Sequence, residues 1–169
     1  MSTNTTLTKT ATTGQIQSLS SLPPLPFQID WSAVFELNQA AGFDYPITQE
    51  ILEKDLSFLT QEQQEANLLH VALWIKKEPE TFNMKQWHDT STNTYPETFE
   101  QAAHCKTTHC IAGFAQVMSG PAAFEFYPGF VGQLTLGWEA SRYFFVLMRE
   151  SNENEVALNY LHQVIARNS

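Results

Sequence analysis

Thr60-Gln61-Glu62-Gln63-Gln64-Glu65-Ala66-Asn67-Leu68-Leu69-His70-Val71-Ala72-Leu73-Trp74-Ile75-Lys76-Lys77 is the stretch whose reading decides the fold. Thr60 followed three residues later by Gln63 makes a capping box, in which each side chain satisfies the other residue's backbone N–H and a helix opens. The helix is expected to run to about Lys77, because Pro79 forces Glu78 out of helical geometry. Leu68, Leu69, Val71, Ala72, Leu73 and Ile75 occupy nearly its whole circumference, the pattern of an element buried on several sides. This segment is therefore expected to be the central helix.

The pattern stays helical on both sides of it. Asp30 can cap a helix whose Trp31, Val34, Phe35 and Leu37 form an apolar face, with Gly42 as a left-handed stop. Pro46 suits a first helical turn, and Ile47, Ile51 and Leu52 continue at helical spacing toward Leu56 and Leu59. Residues 80–87 read as a short helical turn that puts Phe82, Met84 and Trp87 on the core. Residues 88–106 have no strong periodicity and are too long for an ordinary connector. Ile111, Phe114, Ala115 and Met118 fall at i, i+3, i+4 and i+7, ended by Gly120-Pro121. Leu134 to Glu150 reads as one aromatic-rich helix, and Asn152 or Asn154 can cap a last one carrying Val156, Tyr160, Leu161, Val164 and Ile165. The only plausible extended piece, Phe124 to Val131, is interrupted by Pro128-Gly129. The expectation is an all-α, compact domain of five to seven helices over residues 29–169.

Residues 1–28 contain no Asp or Glu and one charged residue, Lys9, and their Thr/Ser-rich run buries too little surface to offset its ordering entropy. They read as a disordered tail, with Leu22-Pro23-Pro24-Leu25-Pro26 as a stiff polyproline linker into the domain. The whole chain of 169 residues is 43% apolar and carries a net charge of −9. That charge argues against nucleic acid and against anionic lipid, both of which demand a basic surface. No apolar run approaches the roughly 20 residues of a membrane span, and two cysteines are too few for a disulfide framework. A cytoplasmic location is expected.

Chemistry concentrates in His104-Cys105-Lys106-Thr107-Thr108-His109-Cys110, which holds both cysteines and two of the five histidines. Three readings compete. In the first, Thr107 or Thr108 caps the following helix, Cys110 is a small buried apolar residue, and Gly113 admits a close neighbour. In the second, Cys105 and Cys110 form a redox pair, with the Cys110 thiolate favoured by the helix dipole and His109. Five residues of continuous helix separate two alpha carbons by about 7.5 Å along the axis, beyond the roughly 7 Å a disulfide spans, so Cys105 would have to lie in a loop. In the third, Cys105, Cys110, His109, His104 and His88 supply a zinc site, although the paired short loops of zinc modules are absent. His70, four residues before Trp74, reads as a hydrogen-bonded core histidine.

Phe82-Asn83-Met84-Lys85-Gln86-Trp87, then Cys105, Thr107 or Thr108, Cys110-Ile111-Ala112-Gly113-Phe114-Ala115 and later Leu136-Gly137 resemble an uncharacterised family of small bacterial helical proteins. Its mark is Cys-x-Thr-x-x-Cys-Ile-Ala-Gly-aromatic-Ala after a Trp-ended turn. The resemblance covers roughly residues 66–148, with Lys106 standing where Gly is usual and Phe114 where Trp is usual. It implies a helical fold and no established activity.

The expected function is a non-enzymatic interaction or regulatory protein, with no catalytic residue and no cofactor. Its surface for a protein partner is placed at Trp87, Tyr95, Phe124, Phe126 and Tyr127, since aromatics give large contact area at low entropic cost. The alternatives are the thiol redox protein and the zinc-binding protein.

Overall fold

The structure, a computed structural model, describes residues 22–40, 59–89, 96–104, 107–145 and 153–169. Among these residues the helices are α1 (Trp31–Ala40), α2 (Gln61–Lys77), α3 (Phe99–Ala102), α4 (Ile111–Met118), α5 (Pro121–Phe124), α6 (Pro128–Leu136), α7 (Trp138–Phe145) and α8 (Glu153–Arg167). A 3-10 turn covers Pro79–Thr81, and β1 (His88–Asp89) pairs with β2 (Thr108–His109) in a short antiparallel ladder. The protein is mostly helical, as the hydrophobic periodicity requires. The readings at Gly42, at Pro46 to Leu56, at Tyr95, at Cys105 and Lys106, and in the tail before Leu22 lie outside the described residues.

The capping box of α2 forms as expected: the Gln63 N–H donates to Thr60 Oγ1 at 3.3 Å and the Thr60 N–H to Gln63 Oε1 at 2.9 Å. Asp30 likewise accepts from the Ala33 N–H at 3.1 Å at the start of α1. The central helix, however, is α4 and not α2. Every residue of α4 is buried, whereas Leu73 of α2 is 47% exposed. The reason is steric: Ala112, Gly113 and Ala115 give α4 a slim cross-section that neighbours can surround closely, and α6 packs along it more extensively than any other helix pair does.

The main core joins Leu68, Val71 and Ile75 of α2 to Ile111, Phe114 and Met118 of α4 and to Leu161 and Val164 of α8. A second cluster joins Trp31 and Val34 of α1 to Ala123, Val131 and Leu134. The stretch expected to be one helix from Leu134 is two, because Gly137 has φ +92° and turns α6 into α7. Phe124 to Val131, the one expected extended piece, is helical at both ends; the strands form instead at β1, which opens the segment without periodicity, and at β2, just after its end. Residues 82–87 make turns and a bridge and no helix.

Leu22–Gln28, expected to belong to a free tail, is pinned to the core. The Leu25 side chain is buried and its N–H donates to the Met118 carbonyl at 3.1 Å. Asn67, fully buried on α2, accepts from the Phe27 N–H at 3.0 Å and donates back to the Phe27 carbonyl at 2.9 Å and to the Thr135 carbonyl at 3.1 Å. An amide side chain thus pairs with the chain as a strand neighbour would; the bond to Thr135 is buried and the two to Phe27 are partly so.

Of Gly113, Gly120 and Gly137, Gly113 has the closest neighbour. A Cβ there would sit 2.0 Å from the Trp87 carbonyl oxygen, a distance no side-chain carbon tolerates. Gly113→Ala is expected to lower stability by about 3 kcal/mol or more, through forced separation of the β1 segment from α4. Urea unfolding midpoints of the two proteins measure it.

Candidate functional site

The two-residue ladder places His88 directly opposite His109, so that their rings meet inside the protein. The Nδ1 atoms are 2.8 Å apart, and His88 Nε2 lies 2.7 Å from Gln116 Oε1. Phe124 leans over His88 at 5.8 Å, and Phe114 meets the His109 ring edge-on at 4.8 Å. All three polar side chains are at most 1% exposed.

The hydrogen positions follow from Gln116. Its Nε2 faces three backbone carbonyls, of Phe126 at 2.5 Å, Phe124 at 3.3 Å and Ala123 at 3.4 Å, which accept and cannot donate. The amide orientation is therefore set, and Oε1 accepts from the His88 Nε2–H. A neutral His88 then bears its lone pair on Nδ1 and accepts from the His109 Nδ1–H. Burial holds both rings neutral: it lowers the His88 pKa to about 4 against a partial offset from the Gln116 bond. His109 is pushed well below 6.5 by burial first and by His88 second. The protons line up in one direction, from His109 through His88 to Gln116 and the α5–α6 turn.

Cys110 is the N-cap of α4, a place the sequence assigned to Thr107 or Thr108. Its sulfur accepts from the Gly113 N–H at 3.3 Å, and its own N–H donates to the Trp87 carbonyl at 3.3 Å. The threonines tie the preceding loop: Thr107 Oγ1 donates to the Gln101 carbonyl at 2.8 Å, and Thr108 Oγ1 reaches the Asp89 carbonyl at 3.5 Å. Cys110 is a free, fully buried thiol whose pKa burial raises to about 12, against smaller lowering from backbone N–H bonds. The redox reading required a lowered pKa at the helix start; desolvation outweighs the helix dipole here and reverses the sign.

The zinc reading meets a similar geometry. Among the described residues no three His, Cys, Asp or Glu side chains converge on a common point. Both ring nitrogens of His88 are taken, and the Cys110 sulfur is turned into α4. His104 is exposed and lines, with His109, a surface cavity of about 370 Å³ between the end of α2 and the α3 turn. Cys105 lies outside the described residues. His70 is half-buried with its Nε2 enclosed and without a hydrogen-bond partner, in place of the bonded state expected of it.

The aromatic set divides. Phe124 covers His88 and also meets Phe99 at 6.2 Å, while Phe126 lies between Trp31 at 5.3 Å and Phe35 at 6.4 Å. Trp87 and Tyr127 form an edge-to-face pair at 5.1 Å, with Tyr127 49% exposed. Tyr95 lies outside the described residues. Phe35, read as part of a buried face, is 43% exposed. Gln116 was the residue that sequence reasoning missed, and its signal was present: one amide in the otherwise apolar run Ile111 to Met118.

Comparison with family models, with curated proteins and with solved structures finds no match for this chain. Its chemistry has to be read from its own residues. No helix among the described residues is long and apolar enough to cross a membrane.

Two outcomes are expected. The unfolded chain binds more protons than the fold below about pH 6.5, because His88 and His109 titrate freely only when unfolded. Stability is complete above that pH and falls as pH drops toward about 4, where folded His88 also takes a proton. His88 alone accounts for roughly 3 kcal/mol over that interval. Urea midpoints between pH 7 and pH 5, above the carboxylate range, show the onset; a flat profile contradicts the relay. For Cys110, three pKa units above the ordinary 9.0 leave about a thousandfold less thiolate at neutral pH, so alkylation mapped by mass spectrometry should mark it only after unfolding.

Proposed function

We propose that this protein is a non-enzymatic, cytoplasmic interaction or regulatory protein that binds a protein partner and no nucleic acid. The observation that carries the reading is the contrast between inside and outside. Among the described residues Cys110, His88 and His109 are desolvated and neutral, while Tyr127 and Phe35 stand about half exposed beside Trp87 and Phe126. On this reading the motif resembling the bacterial family is a folding motif: its cysteine caps α4, its glycine admits the Trp87 carbonyl, and its threonine ties the loop.

The aromatic face also has a charge. Glu36 follows Phe35 and Glu125 lies between Phe124 and Phe126, both exposed, in a chain of net charge −9. The partner that fits is a protein with an apolar groove edged by basic side chains, a pairing in which aromatics supply affinity and the charges supply orientation and rate.

The test is quantitative capture from the native cell with three variants. Tyr127→Ala and Phe35→Ala are expected to weaken retention of the same captured protein by about tenfold or more each, as anchor truncations do. Trp138→Ala, which removes an exposed aromatic of α7 that makes no ring contact with this set, should leave it unchanged. Equal retention by all three variants removes the reading.

A further inference from the structure

The relay from His109 to Gln116 ends at a nitrogen that the protein does not use. With Nδ1–H given to His88, the neutral His109 ring keeps a lone pair on Nε2, on the side of the ring away from His88. His109 is 1% exposed, makes no further hydrogen bond through its ring, and is one of the residues lining the cavity of about 370 Å³. An acceptor of fixed direction at the wall of a cavity can take a hydrogen bond from a donor that enters it.

The other walls narrow the chemistry. Glu78 and Glu80 line the same cavity, as does the exposed His104, and the one ammonium among the described lining residues, Lys77, is held 3.6 Å from Glu78 and 5.1 Å from the centre of the Trp74 ring. Trp74 also lines it, with its indole N–H enclosed and without a partner. An anion would meet two carboxylates and a nitrogen that cannot donate. A small cation with N–H groups meets an acceptor and negative charge, and an oxygen on the same molecule would serve as acceptor for the exposed Lys77 ammonium on the same wall. The volume is at the small end of ligand sites, enough for a compact metabolite and not for a nucleotide.

We propose that this cavity binds a small organic amine carrying an oxygen acceptor, of the amino-alcohol class, whose ammonium donates to His109 Nε2 and faces Glu78 and Glu80. The ligand is held without chemistry, which makes it an effector for a protein whose other surface binds a partner. The site is separate from the aromatic face and survives if that face binds nothing.

The experiment titrates the full-length protein, labelled with ¹⁵N, with 2-aminoethanol, n-propanol and acetate in parallel, following the imidazole nitrogens by long-range proton–nitrogen correlation. Saturable binding of 2-aminoethanol that moves His109 Nε2 more than either nitrogen of His88 is the expected result. The Glu80→Gln variant, an exposed change that leaves the relay intact, should weaken that binding by up to about fivefold. Glu78→Gln should do likewise. If n-propanol binds as well as the amine, the charge assignment fails; if acetate binds better, its sign is wrong. If none of the three moves His109 Nε2 at millimolar concentration, the site does not exist.

Discussion

The carbonyl oxygen of Trp87 rests against the backbone of Gly113, and the rest of the molecule is arranged around that contact. A peptide group can approach a helix this closely only where the helix has no side chain, and at Gly113 the space a Cβ would need is occupied. The same oxygen accepts from the Cys110 N–H, so the turn after Phe82 is hydrogen-bonded to the residue that starts α4. Once Trp87 is seated there, His88 has one place to go. It enters the ladder opposite His109 and carries its ring inward.

Burying two imidazoles in a hydrophobic core is costly unless each polar atom finds a partner. Gln116 meets that cost, because its amide oxygen accepts from the His88 Nε2–H and its own N–H groups face three carbonyls of the α5–α6 segment. The relay therefore ties the β1 turn to α4 across 28 positions and α4 to the turn before α6, up to ten positions on. Polar bonds sheltered by Phe114 and Phe124 specify this arrangement more sharply than apolar packing alone would, since any slip in register leaves a buried donor or acceptor unmet. Asn67 works in the same way at the other end of the core, holding the Leu22–Gln28 segment to α2 and α6.

Desolvation also decides the chemistry. The helix start at Cys110 supplies N–H groups that favour a thiolate, yet complete burial raises its pKa to about 12. The histidines are driven the opposite way in pKa and to the same result, a neutral side chain. Within a cluster that looks reactive when written in one line, the described Cys110 and His109 are thus neutral when folded. His109, at its margin, also lines the adjoining cavity.

The sequence by itself determined the helical class and most helix positions. Periodicity, the Thr60–Gln63 capping box, Asp30 and Gly120-Pro121 act within a few residues of chain, and local physics is legible locally. What only the tertiary structure decided depends on pairings across the chain. That His88 faces His109 across 21 positions, that Gln116 orients both, that α4 and not α2 is central, and that Leu25 packs on the core are set by which surfaces meet. The signs of the Cys110 and His88 pKa shifts belong with them, because burial is a property of the neighbours a residue acquires and not of the residues beside it in sequence.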